Sequence, residues 1–159
     1  MKYLKFLLLI FTSFSACTER PISNSLNLQI HEARFLADFD REVFSEWDTV
    51  QVQNKNNNVT TYIVSSSPLL TAWNFLALNA SQKQTDNTQI VTVRLNAFAE
   101  KKMRNFSQIS GNLKVPLGLR VGDRWINFSP LLNPVTDRMT LRGLNESEVA
   151  ALQHYIKNR

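Results

Sequence analysis

The sequence predicts one α+β domain, in which about three helices pack on one face of a mixed, mainly antiparallel sheet. The first observation is a two-residue turn, Gly122-Asp123, between two stretches that alternate apolar with polar residues. The second is Asn145 followed three residues later by Glu148, a capping-box signal for a closing helix. The third is a period of two in several further stretches, which is typical of half-buried strands.

The turn sets the register of the hairpin around it. A glycine at its first central position suits a type II′ turn. The expected cross-strand pairs are Val121 with Arg124, Leu119 with Ile126, and Leu117 with Phe128. Because successive strand residues point to opposite faces, the core face is expected to hold Leu117, Leu119, Val121, Ile126 and Phe128. Arg120 and Trp125 then form a cross-strand pair on the other face.

In the N-terminal half, Leu26, Leu28 and Ile30 alternate with polar residues and predict a first strand. Residues 33–47 show no clean period. Two further alternating runs around 50–52 and 59–64 flank an Asn-rich stretch and predict a hairpin. Ser67-Pro68 then predicts a helix start, with serine as cap and proline in the first turn. The apolar side of that helix is expected to consist of Leu69, Leu70, Trp73, Leu76 and Ala77.

The C-terminal half begins with a strand that turns Val91, Val93 and Leu95 to one face. Asn96 is the expected cap of a second helix with Ala99, Met103 and Phe106 on one stripe, and Gly111 is its expected stop. The last strand, 137–142, turns Met139 and Leu141 inward. The closing helix buries Val149, Leu152 and Ile156.

The first 16 residues read as a secretory signal peptide. Lys2 and Lys5 precede an apolar run over 6–11, and small residues lead to Cys17, the only cysteine of the chain. The run is shorter than the about 20 residues of a transmembrane helix. A cysteine that falls by chance beside an ordinary cleavage site is the alternative for Cys17.

Cys17 and the small residues before it resemble the lipobox of bacterial lipoproteins. In that family the cysteine is acylated through its sulfur, commonly with palmitate, and becomes the mature N-terminus. The resemblance implies a leader over 1–16, a lipid-anchored tether over 17–25 and a domain over 26–159. It also implies a periplasm-facing location in the cell envelope. Thr18, in place of aspartate, implies the outer membrane by analogy with lipoprotein sorting.

Composition excludes several functional classes. The formal net charge is +5, and loss of Lys2 and Lys5 with the leader leaves +3, a mild basic bias that does not indicate nucleic-acid binding. His31 and His154 stand apart from other ligand residues, so no metal and no cofactor are expected. Glu146 and Glu148 fit the start of a helix better than a catalytic pair. We expect a protein that is not an enzyme.

Residues 61–158 also resemble the head of the first large periplasmic domain of SecD and SecDF, accessory subunits of the Sec protein-export machinery. The matching features are Tyr62, Pro68-Leu69-Leu70-Thr71, Val91-Thr92-Val93, Phe106, Leu117-Gly118-Leu119, Asp123, Ser129-Pro130, Gly143 and Glu146-Ser147-Glu148. The resemblance implies a freestanding head-like module. The turn is Gly-Asp here where the family usually has Asp-Gly.

If helices cover the apolar sheet face, the opposite face holds a candidate binding surface: Arg94, Arg120, Trp125, Arg138 and Arg142. A solvated basic face is the alternative interpretation. Three hypotheses for function stay open: a noncatalytic binding or accessory module for exported polypeptides, an envelope enzyme subunit whose site needs a partner, and a passive envelope-structural lipoprotein. The sequence leaves the partner and the oligomeric state open.

Overall fold

The computed structural model describes residues 26–38, 46–53, 57–83, 86–109 and 111–159. The strands are β1 (Leu28–Phe35), β2 (Asp48–Gln53), β3 (Val59–Val64), β4 (Leu70–Thr71), β5 (Phe75–Lys83), β6 (Gln89–Leu95), β7 (Pro116–Val121), β8 (Arg124–Pro130) and β9 (Arg138–Leu144). The helices are α1 (Ala97–Gln108) and α2 (Glu146–Lys157), with short 3-10 turns at Leu36–Asp38 and Ala72–Asn74. The expected leader and tether over 1–25 lie outside the described residues.

The described strands form two sheets. One has the order β2-β3-β1-β7-β8, with β4 pairing to β1, and the other has the order β5-β6-β9. Every pair of neighbouring strands is antiparallel. The α+β class with mainly antiparallel pairing is confirmed, but the strands occupy two sheets where one was expected. The alternation of apolar and polar residues along a strand identifies the face that is buried, but it does not identify the neighbouring strand. A single sheet and two separate sheets therefore give the same sequence pattern.

A helix beginning at Ser67-Pro68 was expected, and the structure shows that this prediction is wrong. Leu70 pairs with Ile30 as part of β4, and a single 3-10 turn leads directly into β5. Trp73 and Leu76, expected on a buried stripe, are exposed. The long pairing of β5 with β6 overrides the helix propensity of this leucine- and alanine-rich segment.

Both remaining helix predictions are confirmed, including their caps. The Asn96 side chain accepts a hydrogen bond from the Ala99 amide at 2.8 Å, and Ala99, Met103 and Phe106 are buried. In α2, Asn145 accepts from the Glu148 amide at 2.9 Å, while the Glu148 carboxylate accepts from the Asn145 amide at 2.9 Å. This reciprocal pair satisfies two amides that a helix start otherwise leaves open. The C-cap of α1 is Ile109, two residues before the expected stop at Gly111.

The β7–β8 hairpin has the expected turn and a different register beyond it. Val121 opposes Arg124 and Arg120 opposes Trp125, as expected. A β-bulge then adds one residue to β8, so Leu119 opposes Asn127 and Gly118 opposes Phe128. Since one extra residue reverses the face of everything after it, Phe128 leaves the core face. The expected pairs of Leu119 with Ile126 and of Leu117 with Phe128 are wrong.

One hydrophobic core collects buried side chains from both sheets and both helices. Its members include Leu28, Phe75, Val93, Met103, Leu119, Leu141 and Leu152. The expected inward residues of β6 and β9 are confirmed, because Val91, Val93, Leu95 and Leu141 are buried and Met139 packs against the core. The β2–β3 hairpin is confirmed as well, and its tip at 54–56 lies outside the described residues.

Candidate functional site

A cleft lies between strand β8 of one sheet and strand β9 of the other. Each of the two is the last strand of its sheet among the described strands. At one end they meet, since a Cβ built on Gly143 would lie 2.9 Å from Cγ2 of Ile126. Toward the other end they diverge and enclose about 490 Å³, which we call the cleft. The position of the cleft follows from the strand order, because β8 and β9 are the edges of their sheets and approach each other without pairing.

The cleft has an apolar floor and a polar, basic rim. The floor includes Ile30, Leu117, Leu119 and Leu141, and the loop 131–135 closes one side. The rim carries Asn127, Ser129, Thr140, Arg138 and Arg142. None of the described residues that line the cleft is acidic. An apolar floor with few polar groups at the rim is the usual composition of a binding cleft.

Three of the five residues proposed from the sequence as a binding face lie together on the sheet that contains β9. Arg94 stands directly opposite Arg138, and Arg142 follows on the same side of the strand. We call Arg94, Arg138 and Arg142 the arginine row. All three are exposed, and Arg138 lies 3.5 Å from the carboxylate of Asp137. Like charges directly opposed across strands are unfavourable, so this row is a place where an anion would be stabilised.

The other two residues, Arg120 and Trp125, lie in the other sheet. The expected cross-strand pair is confirmed, with the guanidinium 5.7 Å from the centre of the indole ring. Arg120 also pairs with Asp123 at 3.0 Å. Its Nε is buried and has no hydrogen-bond partner among the described residues. The five residues of the proposed binding face are therefore divided between two sheets. The binding role proposed for these residues stays a prediction.

An aromatic face on the six-stranded sheet was not foreseen from the sequence. Tyr62 stacks on Phe128 with ring centres 4.1 Å apart, and Phe35 and Trp125 each lie 5.3 Å from one of these rings. We call these four residues the aromatic face. It exists because the bulge turns Phe128 outward. The signal that could have indicated it is Gly118, since a glycine inside a strand often marks a close approach.

His31 lies under this face and is buried. Its Nδ1 lies 2.8 Å from the Ser65 carbonyl oxygen, and its Nε2 lies 3.0 Å from Oε1 of Gln29. A carbonyl oxygen can only accept, so Nδ1 carries a proton and donates this hydrogen bond to Ser65. Burial lowers the pKa of His31 below 6.5, and nearby Arg120 lowers it further. The ring packs edge-on against Trp125 at 5.2 Å.

The described side chains offer no arrangement that resembles a catalytic or metal centre. No group of three or more His, Cys, Asp or Glu residues within the described ranges is placed to hold a metal ion. Glu148 is occupied by the helix cap and by an ion pair with Arg124. Glu146 lies in the first turn of α2, where a negative charge favours the helix dipole. None of the described helices is long and apolar enough to cross a membrane.

No protein-family description matches this chain, and no curated protein matches it. Its fold is similar to solved structures of SecDF. One, reported as a membrane component that enhances protein export, aligns with a TM-score of 0.53 at 13% identity over 84% of this chain and 62% of that chain. A second, SecDF in its Super-membrane-facing form, aligns with a TM-score of 0.51 at 13% identity over 84% of this chain and 19% of that chain.

These alignments establish a SecDF head-like fold for this chain. The chain spans less than two thirds of either solved SecDF chain. At 13% identity the similarity concerns the arrangement of strands and helices, and fold alone does not define activity. The resemblance expected from residues 61–158 is confirmed at the level of fold.

Proposed function

We propose that this chain is a noncatalytic accessory module of the cell envelope that contacts exported polypeptides. The supporting observation is a SecDF head-like fold that carries an open cleft between two sheet edges. SecDF itself is described as enhancing protein export. A cleft with an apolar floor and backbone edges along its walls suits an extended, unfolded chain better than a small metabolite.

The proposal includes a lipid anchor at Cys17. Its support is the N-terminal sequence, in which a basic and apolar leader ends in small residues before the only cysteine. An acyl chain on that residue would hold the domain at a membrane surface and face it to the periplasm, and the outer membrane is our proposal for that surface. A single chain gives only marginal, reversible binding to a membrane. Stable attachment would therefore need a second acyl group or a further contact between the domain and the membrane.

Crosslinking in the living bacterium tests the proposal. Envelopes are crosslinked, the chain is purified under denaturing conditions, and the attached proteins are identified by mass spectrometry. We expect newly exported polypeptides to be enriched over their steady-state abundance. Their enrichment should fall when export is blocked, because the chain would then meet no arriving polypeptide.

The matched control is the Cys17→Ser variant, which retains the domain and lacks the acylated sulfur. It is expected to lose most of the crosslinks because the module is no longer held at the membrane. Crosslinks confined to abundant resident envelope proteins, and unchanged when export is blocked, would contradict the proposal and favour a passive structural lipoprotein.

A further inference from the structure

We propose that strand β9 binds a polypeptide by strand addition, and that the preferred segment alternates apolar with acidic residues. This inference deepens the proposed function and rests on it. It names the site, the backbone geometry of the bound segment and the side chains that it selects.

Of the two edges, β9 is the one able to accept a new strand. Strand β8 contains the bulge near Ile126 and ends at Pro130, which has no amide hydrogen. Bulges and prolines are the devices that protect an edge from pairing. From Arg138 to Arg142, β9 pairs one-to-one with β6, and its irregularity begins only at Gly143. These five residues form a regular edge of about 17 Å.

The side chains of β9 define what a paired strand would present. Met139 and Leu141 face the core side, beside the apolar floor of the cleft. Arg138, Thr140 and Arg142 face the opposite side and are exposed. A strand added to β9 places its residues directly opposite these, at β-carbon distances of about 4.5–5.5 Å. Two apolar side chains of the segment would then enter the cleft, and its alternate residues would face the arginines.

Charge selects acidic residues at those alternate positions. Arg94 already stands opposite Arg138, and the side chains of Arg94 and Arg142 form no ion pair or hydrogen bond with a described residue. A carboxylate opposite Arg138 would lie beside two neighbouring positive charges, Arg94 and Arg138, of which only Arg138 has an acidic partner, Asp137. A charge-assisted contact of this kind is stronger than a neutral one. Arginines can also protect an edge, and the experiment separates the two roles.

The test uses labelled peptides whose five central residues read Glu-Val-Thr-Val-Glu. The pattern is the same in both directions, so parallel and antiparallel addition give the same pairs. Binding to the purified chain is measured by fluorescence anisotropy. We expect the acidic peptide to bind at least tenfold more tightly than Lys-Val-Thr-Val-Lys. A version with methylated backbone amides, which cannot pair with an edge, should lose at least tenfold.

Two further measurements locate the binding. The double variant Arg138→Glu with Arg142→Glu is expected to reverse the preference toward the lysine peptide. Hydrogen exchange should show slower exchange of β9 amides when the acidic peptide is bound. If the double variant does not fold, the methylated peptide and the exchange data on the unmodified chain decide alone. Equal binding of the acidic, basic and methylated peptides, or unchanged β9 amides, would overturn strand addition.

The same titration with a chemically unfolded exported protein separates this inference from the proposed function. If the unfolded protein binds and the acidic peptide does not, then β9 is a protected edge and polypeptides are contacted elsewhere on the molecule. If neither ligand binds, both the inference and the proposed polypeptide contact are overturned. Tight binding of the acidic peptide with slowed β9 exchange supports both.

Discussion

At the scale of single residues, Gly118 permits the aromatic face to form. A Cβ built on it would lie 2.9 Å from Cε1 of Phe128 and 2.9 Å from Cζ3 of Trp125. Real Cβ atoms do not approach other atoms so closely, so two packed rings would have to move. Phe128 has little freedom to do so because it is stacked on Tyr62. The absence of a side chain at this strand position is therefore part of the face itself.

Gly118→Ala is expected to destabilise the domain by about 1–3 kcal/mol, the usual cost of overpacking. Denaturant unfolding measures it. The control is the same substitution in a Phe128→Val background, where one of the two contacts is gone and the penalty should fall. An equal penalty in both backgrounds would show that the rings are not the cause.

The bulge in β8 predicts a difference between substitutions at Leu119, in the core, and at Phe128, on the outer face. Leu119→Ala removes a buried core side chain and should cost about 2–5 kcal/mol. Phe128→Ala should cost less than the about 3–5 kcal/mol of a fully buried phenylalanine, since the ring lies half-buried on the outer face. Denaturant midpoints compare the two. If Phe128→Ala lost more stability than Leu119→Ala, Phe128 would have to lie on the core face, and the bulge would be contradicted.

His31 predicts a pH dependence of stability. Because its folded pKa lies below the unfolded value of 6.5, the unfolded chain binds the proton first as pH falls. The free energy of unfolding should therefore be unaffected by this group above pH 6.5 and should decrease below it, down to the folded pKa. His31→Gln is expected to flatten that part of the profile. A variant profile with the same slope below pH 6.5 as the native chain would show that His31 does not contribute.

At the scale of elements, the start of α2 carries a measurable share of stability. Asn145→Ala removes the acceptor of the Glu148 amide and should cost about 0.5–2 kcal/mol. Asn145→Asp retains an acceptor oxygen at the same position and should be close to neutral. Chemical unfolding of the two variants beside the native chain is the test. If the aspartate variant loses as much as the alanine variant, the cap is not the source of the effect.

Elements with an uninterrupted period could be predicted from the sequence. Both helices begin at Asn with the acceptor geometry that their sequences indicate, and β9 turns Met139 and Leu141 inward as its alternation requires. In these elements the local sequence signals favour the same structure as the tertiary contacts. The local signals alone were therefore enough to predict them. In β5 the two disagree, because its composition favours a helix while its pairing with β6 imposes a strand.

The candidate site was harder to predict for a physical reason. A bulge adds one residue to a strand without any change of composition. The only sequence signal that Phe128 points outward is therefore Gly118, the residue opposite it. The cleft depends on which strands are last in their sheets, and that depends on pairing over long sequence separations. The pairing of Arg120 with Trp125 could be predicted because it lies between the turn and the bulge.

At the scale of the whole molecule, we propose that a lipid anchor at Cys17 holds the head-like domain at a membrane. Mass spectrometry of the N-terminal peptide from the mature protein should find Cys17 acylated and residues 1–16 absent. Membrane fractionation gives a second readout, in which the Cys17→Ser variant should leave the membrane fraction while its domain remains folded. An unmodified Cys17 or a retained leader would contradict the anchor and leave the domain's fold unaffected.

We propose that exported polypeptides contact the cleft of this SecDF-like domain. The most direct test of this proposal places a photoreactive amino acid at Thr140, on the rim of the cleft, in cells that hold an arrested export intermediate. The control position is Gln153, which is exposed on α2 and does not line the cleft. We expect a crosslink to the arrested polypeptide from Thr140 and none from Gln153. Crosslinks of equal yield from both positions, or none from Thr140, would contradict it.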